Sequence, residues 1–134
     1  MNDQTLLDRA IENFFGKFII LPGQYAMLDN QVIELTRNRL RIIIGGNPNK
    51  TLDYNIKDIK IRYFNAQPVN ALQLNISSMD KYNMSGADDI SNLIVELLYL
   101  RAPGQIYIVY DSKMGIFMLK NINMATVAVL KKMD

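Results

Sequence analysis

Turn-forming pairs recur at nearly even spacing through the first third of this chain, and the segments between them are apolar. The pairs are Pro22-Gly23, Asp29-Asn30, Arg37-Asn38 and Gly45-Gly46. Pairs of this kind favour the tight turns that join neighbouring antiparallel strands. Their spacing predicts an antiparallel meander with strands over about residues 17–21, 25–28, 31–36 and 39–44.

A helix over about residues 29–42 is the alternative for this part of the chain. Ile33, Thr36, Leu40 and Ile43 are spaced by three or four residues and would share the inner face of such a helix. Periodicity alone leaves both structures open.

Alternation of apolar and polar residues returns further along the chain. Residues 45–56 are rich in Gly, Asn and Pro and are predicted as a loop. Ile59 and Ile61 then alternate with Lys60 and Arg62, which is typical of a half-buried strand. Further strands are expected over 71–77 and in a hairpin of 106–110 with 116–120. Residues 124–130 are predicted as a strand or a short helix, and Val127 and Val129 favour the strand.

Two segments have helical periodicity. Leu7, Ala10, Ile11 and Phe14 form one apolar stripe, which predicts a helix over about residues 3–15. A second stripe follows a capping-box variant and ends before a Pro-Gly pair; its members are Ile90, Leu93, Ile94 and Leu97. We therefore expect one α+β domain over residues 1–134, in which a mainly antiparallel sheet of meander and hairpins packs with two α-helices.

The second predicted helix is apolar over more than half of its circumference. Its additional apolar residues are Val95, Leu98, Tyr99 and Ala102. A helix with so wide an apolar surface is covered on two sides. The second cover is either a loop of the same chain or another subunit, so these four residues are the candidate subunit interface.

The chain contains no histidine and no cysteine. The commonest general base, the commonest metal ligand and the thiol nucleophile are thus absent. The carboxylates show no spacing typical of an acid–base pair or a metal site. We expect a non-enzymatic protein with no catalytic residues, no bound metal, no cofactor and no small-molecule substrate.

Membrane insertion and secretion are also not expected. No apolar run approaches the roughly 20 residues that a membrane span requires. The first residues lack the basic region and apolar core of a signal peptide.

Positive charge is concentrated between residues 37 and 62. This segment contains seven cations and two acids, although the net charge of the whole chain is +2. In a strand over 39–44, Arg39 and Arg41 lie on one face, and Lys60 and Arg62 do so in the next strand. If the two strands pair side by side, four cations share one solvent-facing sheet surface. The candidate basic face consists of Arg37, Arg39, Arg41, Lys57, Lys60 and Arg62.

A basic face has three interpretations. It can bind phosphates, as in non-specific contact with DNA, and binding then weakens with salt. It can meet the acidic surface of a neighbouring copy or of another protein. It can also be an ordinary solvated sheet face. Aromatic residues are not interleaved with these cations in a base-stacking pattern, which counts against a specific nucleic-acid module.

The order of elements is helix, several strands, helix, hairpin and last strand. In this order and in its size the chain resembles the small connector and tail-completion proteins of tailed bacteriophages. The resemblance implies a structural protein that forms homo-oligomeric rings and also contacts other structural proteins. Its expected location is the virion or the host cytoplasm. The alternative is a small phage-encoded inhibitor or adaptor that binds one host protein or nucleic acid.

Overall fold

Eight antiparallel strands close into one barrel in the computed structural model, which describes residues 11–23, 25–62, 71–82, 88–98 and 103–133. Each strand pairs with the next one in sequence, and the first pairs with the last. The strands are β1 (Gly16–Ile20), β2 (Val32–Leu35), β3 (Arg39–Ile43), β4 (Thr51–Arg62), β5 (Ala71–Tyr82), β6 (Gly104–Asp111), β7 (Ile116–Lys120) and β8 (Thr126–Lys132).

The inside of the barrel is filled by apolar side chains. Alternate residues of a strand point to opposite faces, so each strand sends every second side chain inward. All eight strands contribute to this buried core, for example through Phe18, Ile33, Leu40, Leu52, Leu74, Ile108, Leu119 and Leu130. An eight-stranded barrel has an interior that side chains just fill. Ionisable side chains therefore lie mainly on the outer face.

Both ends of the barrel are covered. We call the end where β4 begins the upper end. Helix α1 (Asp88–Leu98) lies there, between β5 and β6 in sequence, and the Leu97 carbonyl accepts a hydrogen bond of 3.0 Å from Asn121 Nδ2 in the β7–β8 turn. At the lower end the Phe14 ring packs edge-on against Phe117, with ring centroids 5.5 Å apart.

The predicted α+β fold is wrong. The structure is a closed barrel with one α-helix among the described residues, and not an open sheet packed with two helices. The predicted first helix, over about residues 3–15, lies mostly outside the described residues. In the part of this range that the structure describes, residues 11 and 12 have helical conformation. Closure depends on the pairing of β1 with β8, and two segments so far apart in sequence leave no trace in local periodicity.

Several local predictions are confirmed, and two are wrong. Residues 16–20, 32–35 and 39–43 form strands, so three of the four strands of the predicted meander are correct and the alternative helix over 29–42 is excluded. The strands expected after residue 70 are present, including the hairpin of β6 with β7. Residues 26–28 form a 3-10 turn in place of a strand. The predicted loop over 45–56 ends at residue 50, because β4 begins at Thr51.

Strand β4 has two halves with different neighbours. The upper half (residues 51–56) lies between β3 and β5, and its last bond on the β3 side joins the Ile56 N–H to the Asn38 carbonyl at 2.9 Å. A register shift follows at Lys57, which is typical of a β-bulge. The lower half (residues 57–62) pairs with β5 alone among the described residues.

Candidate functional site

A buried carboxylate lies on the outer face of the upper half of β4. Asp53 is 0% exposed, although it faces away from the barrel interior. Arg41, its partner in the register of β3, donates from Nε to Asp53 Oδ1 at 3.1 Å and from Nη2 to Oδ2 at 3.2 Å. Arg39 Nη1 lies 3.6 Å from Oδ2. This paired geometry is the strong form of an arginine–carboxylate contact, and it offsets the cost of burying the charge.

The polar contacts of this region continue onto β5. Asn55 Nδ2 donates to Ser78 Oγ at 2.8 Å and to Asp80 Oδ2 at 2.9 Å. Asp80 lies directly opposite Asp53 in the register of β4 and β5. On the other side, Glu34 of β2 lies opposite Arg41. Acidic side chains on β2, on one side, and on β4 and β5, on the other, therefore flank Arg39 and Arg41 and balance their charge.

A shallow groove runs beside these arginines. It has a volume of about 240 Å³ and is lined by Glu34, Thr36, Asn38, Arg39 and Arg41. Because an acid and two cations line the same groove, it does not favour a ligand of either charge.

The lower half of β4 has a different character. Lys57, Lys60 and Arg62 are exposed there, with Asp58 as the single acid. The ion pairs found within the described residues all involve Asp53, so these three cations have no carboxylate partner there. The lower half thus presents positive charge that the described part of the chain does not neutralise.

A chain of hydrogen bonds ties two of these side chains to β5. Arg62 Nε donates to Gln73 Oε1 at 2.8 Å, and Gln73 Nε2 donates to Asn75 Oδ1 at 2.9 Å. Asn75 Nδ2 in turn donates to Asp58 Oδ1. Gln73 is buried, so Arg62 and Asp58 have structural roles that Lys57 and Lys60 do not share.

The four-cation face predicted from the sequence does not form. Arg39 and Arg41 pair with Asn55 and Asp53, so β3 lies beside the upper half of β4. Lys60 and Arg62 lie beyond the end of β3. The error follows from the predicted start of the second strand, since β4 begins well before Ile59.

The remaining basic-face residue, Arg37, lies in the turn between β2 and β3. Its guanidinium carbon is 5.2 Å from the centre of the Phe15 ring, a cation–π contact.

The predicted subunit interface also needs correction. Leu98 is fully buried in the core of its own chain and is not available for a contact between subunits. Val95 is half-buried and packs against that core. Tyr99 and Ala102 lie outside the described residues. The wide apolar surface of α1 is thus used at least in part by the barrel itself.

Two buried hydroxyl groups were missed by the sequence analysis. Tyr54 Oη and Ser91 Oγ are buried and have no hydrogen-bond partner among the described residues. Desolvation by burial raises the pKa of Tyr54 above its usual value. The alternation of Leu52, Tyr54 and Ile56 would have placed Tyr54 on the inner face, but no sequence pattern signals an unpaired hydroxyl.

Two structural features are absent from the described residues. They contain no group of three or more acidic side chains placed to hold a metal ion. In the same part of the chain, no helix combines the length and apolar character needed to cross a membrane.

The fold and surface define an up-and-down antiparallel barrel with a filled interior and its charged groups outside. Comparisons of the chain with protein-family models, curated proteins and solved structures found no match.

Proposed function

We propose that this chain is a non-enzymatic structural or assembly protein, and that the lower half of β4 is its basic contact surface for other proteins. Its copies associate with one another and with other structural proteins. A connector, neck or tail component of a phage-like particle is the setting we propose for it.

The observation that carries this proposal is the unneutralised charge of the lower half. Lys57, Lys60 and Arg62 are exposed on six consecutive residues, and Asp58 is engaged by Asn75. Charge of one sign on an exposed surface attracts a surface of opposite sign and steers its approach. The filled interior leaves the outside of the barrel as the place where contacts are made.

The chemistry of the buried ionisable groups supports a non-enzymatic role. Both oxygens of Asp53 accept hydrogen bonds from Arg41, which leaves this carboxylate poorly placed to accept a proton from a substrate. The raised pKa of Tyr54 keeps its phenol protonated and unreactive as a nucleophile.

The phage-like setting is supported by the order of elements. From β1 onward the chain runs through five strands, one helix, a hairpin and a last strand. In the element order predicted from its sequence and in its size, the chain resembles connector and tail-completion proteins, and the proposal of this setting rests on that resemblance.

Sedimentation velocity at high protein concentration tests the proposal. We expect the native chain to form species larger than a monomer at low salt and to dissociate as salt shortens the screening length from about 30 Å at 0.01 M to about 3 Å at 1 M. The double variant Lys57→Glu/Lys60→Glu should be monomeric. The double variant Lys113→Glu/Lys131→Glu changes the net charge equally at exposed positions elsewhere and should still associate.

Two results would count against the proposal. A native chain that stays monomeric at every concentration and salt level contradicts assembly. Association that appears only after duplex DNA is added would favour phosphate contact by the same cations in place of protein contact.

A further inference from the structure

The lower half of β4 is the edge of a sheet. The ladder with β3 ends at the pair of Arg39 and Asn55, followed by the bond from the Ile56 N–H to the Asn38 carbonyl. Below that point the described residues provide β5 as the neighbour on one side and no strand on the other. A strand edge of six residues has the usual length of a β-strand and presents unpaired backbone donors and acceptors.

The side chains along this edge have a pattern that an incoming strand could match. Ile59 and Ile61 are half-buried and pack against the core. Lys60 and Arg62 point to the opposite, solvent-facing side. A strand added at this edge would place alternate residues beside the two isoleucines and the others beside the two cations.

We propose that the lower half of β4 binds an extended acidic segment of a partner protein by strand addition. This proposal rests on the proposed function, because both require the basic surface of the lower half to make the contact. Backbone hydrogen bonds to β4 supply the pairing, and alternate side chains supply the choice of partner. Acidic residues of the added strand lie next to Lys60 and Arg62, while its apolar residues lie next to Ile59 and Ile61.

Charge complementarity identifies the acidic partner. Lys57, Lys60 and Arg62 have no carboxylate partner among the described residues, and Asp58 already accepts from Asn75. Lysines on a strand edge also repel basic strands and disfavour purely apolar ones, which would strip their hydration. The same cations thus exclude the wrong strands and select an acidic one.

Peptide binding to the intact chain tests the inference. The probe is an eight-residue peptide of alternating glutamate and valine, capped at both ends, and its counterpart alternates lysine with valine. We expect the acidic peptide to bind and the basic one not to bind. Lys57→Glu/Lys60→Glu should weaken binding roughly tenfold or more, whereas Lys113→Glu/Lys131→Glu should change it by less than about twofold.

Backbone pairing needs its own measurement. Amide hydrogen exchange, followed residue by residue, should slow in the lower half of β4 at the N–H groups that do not bond to β5. The same acidic peptide with N-methylated amides keeps its charge but cannot donate to a strand, and we expect it to lose binding.

The outcomes separate strand addition from simple attraction. Equal binding of the N-methylated peptide, or binding without slowed exchange in residues 57–62, overturns strand addition and leaves the proposed basic contact intact. No binding of the acidic peptide, in a chain whose self-association is abolished by Lys57→Glu/Lys60→Glu, also overturns strand addition alone. Peptide binding with slowed exchange, in a chain that remains monomeric, supports strand addition and contradicts self-assembly.

Discussion

The upper and lower halves of β4 belong to one strand but treat charge in opposite ways. In the upper half, Asp53 is removed from solvent and held by Arg41 and Arg39. In the lower half, Lys57 and Lys60 remain exposed. The two halves share a similar pattern, since each alternates apolar residues with polar or charged ones.

The difference follows from the number of neighbouring strands. The upper half has a strand on each side, which brings an arginine of β3 within reach of Asp53 and covers the carboxylate. The lower half has one neighbouring strand among the described residues, so its cations keep their hydration. The carboxylate beside two strands is thus enclosed by the fold, whereas Lys57 and Lys60 at the edge stay exposed.

The largest expected effect is on stability, from removal of the buried carboxylate. Asp53→Ala should lower the free energy of unfolding by about 2 kcal/mol, because it removes a bidentate charge-assisted contact. The loss should be smaller than for a fully buried pair, since the Arg41 and Arg39 side chains are 32% and 44% exposed and can recover hydration.

The matched control lies in the lower half of the same strand. Asp58→Ala removes an exposed carboxylate that accepts one hydrogen bond, from Asn75, and should cost less, about 1 kcal/mol or below. Urea unfolding of both variants measures the difference. Equal losses for the two variants would show that the two halves are not distinguished by burial of charge.

The next effect concerns the inner face of the upper half and depends on pH. Burial raises the pKa of Tyr54 in the folded chain, while the unfolded chain keeps the ordinary value of 10.0. Above about pH 10 the unfolded state loses its proton first, so stability is complete below that pH and falls as pH rises further. The loss should be up to about 1.4 kcal/mol for each pH unit.

Tyr54→Phe isolates this contribution. At neutral pH the variant should be as stable as the native chain or more stable by about 1 kcal/mol, because the hydroxyl has no hydrogen-bond partner among the described residues. Its advantage should grow between pH 10 and pH 11. Urea unfolding at both pH values and at pH 7 checks this, and a constant difference would mean that Tyr54 ionises freely in the folded chain.

The same comparison shows what could be predicted from the sequence. The lower half was recognised as a strand because Ile59 and Ile61 alternate with cations. The upper half falls in the predicted loop over 45–56 because that stretch is rich in Gly, Asn and Pro, although Leu52 and Tyr54 alternate with polar residues. In this region the alternation of apolar residues predicts the strand correctly, whereas the turn-forming residues predict a loop that is not present.

Local sequence patterns do not predict the register of the strands or the closure of the barrel. Composition located the concentration of cations between residues 37 and 62, but the pairing of β3 with the upper half decided which arginines meet Asp53. Likewise, the pairing of Phe18 with Lys132 closes the barrel. Such contacts between distant segments depend on the whole fold and not on any single segment.

The smallest expected effect distinguishes two cations within the lower half itself. Arg62 donates to Gln73 Oε1, and Gln73 is buried, so Arg62→Ala leaves a buried acceptor without a donor. We expect a loss of about 1 kcal/mol in the free energy of unfolding. Lys60→Ala removes an exposed cation without a carboxylate partner in the described residues and should cost within about 0.5 kcal/mol.

Urea unfolding of the two variants, with Lys131→Ala as an exposed control on β8, measures this difference. If Lys60→Ala were as costly as Arg62→Ala, Lys60 would belong to the folded framework, and the distinction between an edge kept free for binding and a paired strand would fail at that residue. If Lys60→Ala leaves stability unchanged but weakens binding of the acidic peptide, the charge at residue 60 acts on a partner and not on the fold. A side chain that does not stabilise its own chain is free to contribute to binding a partner chain.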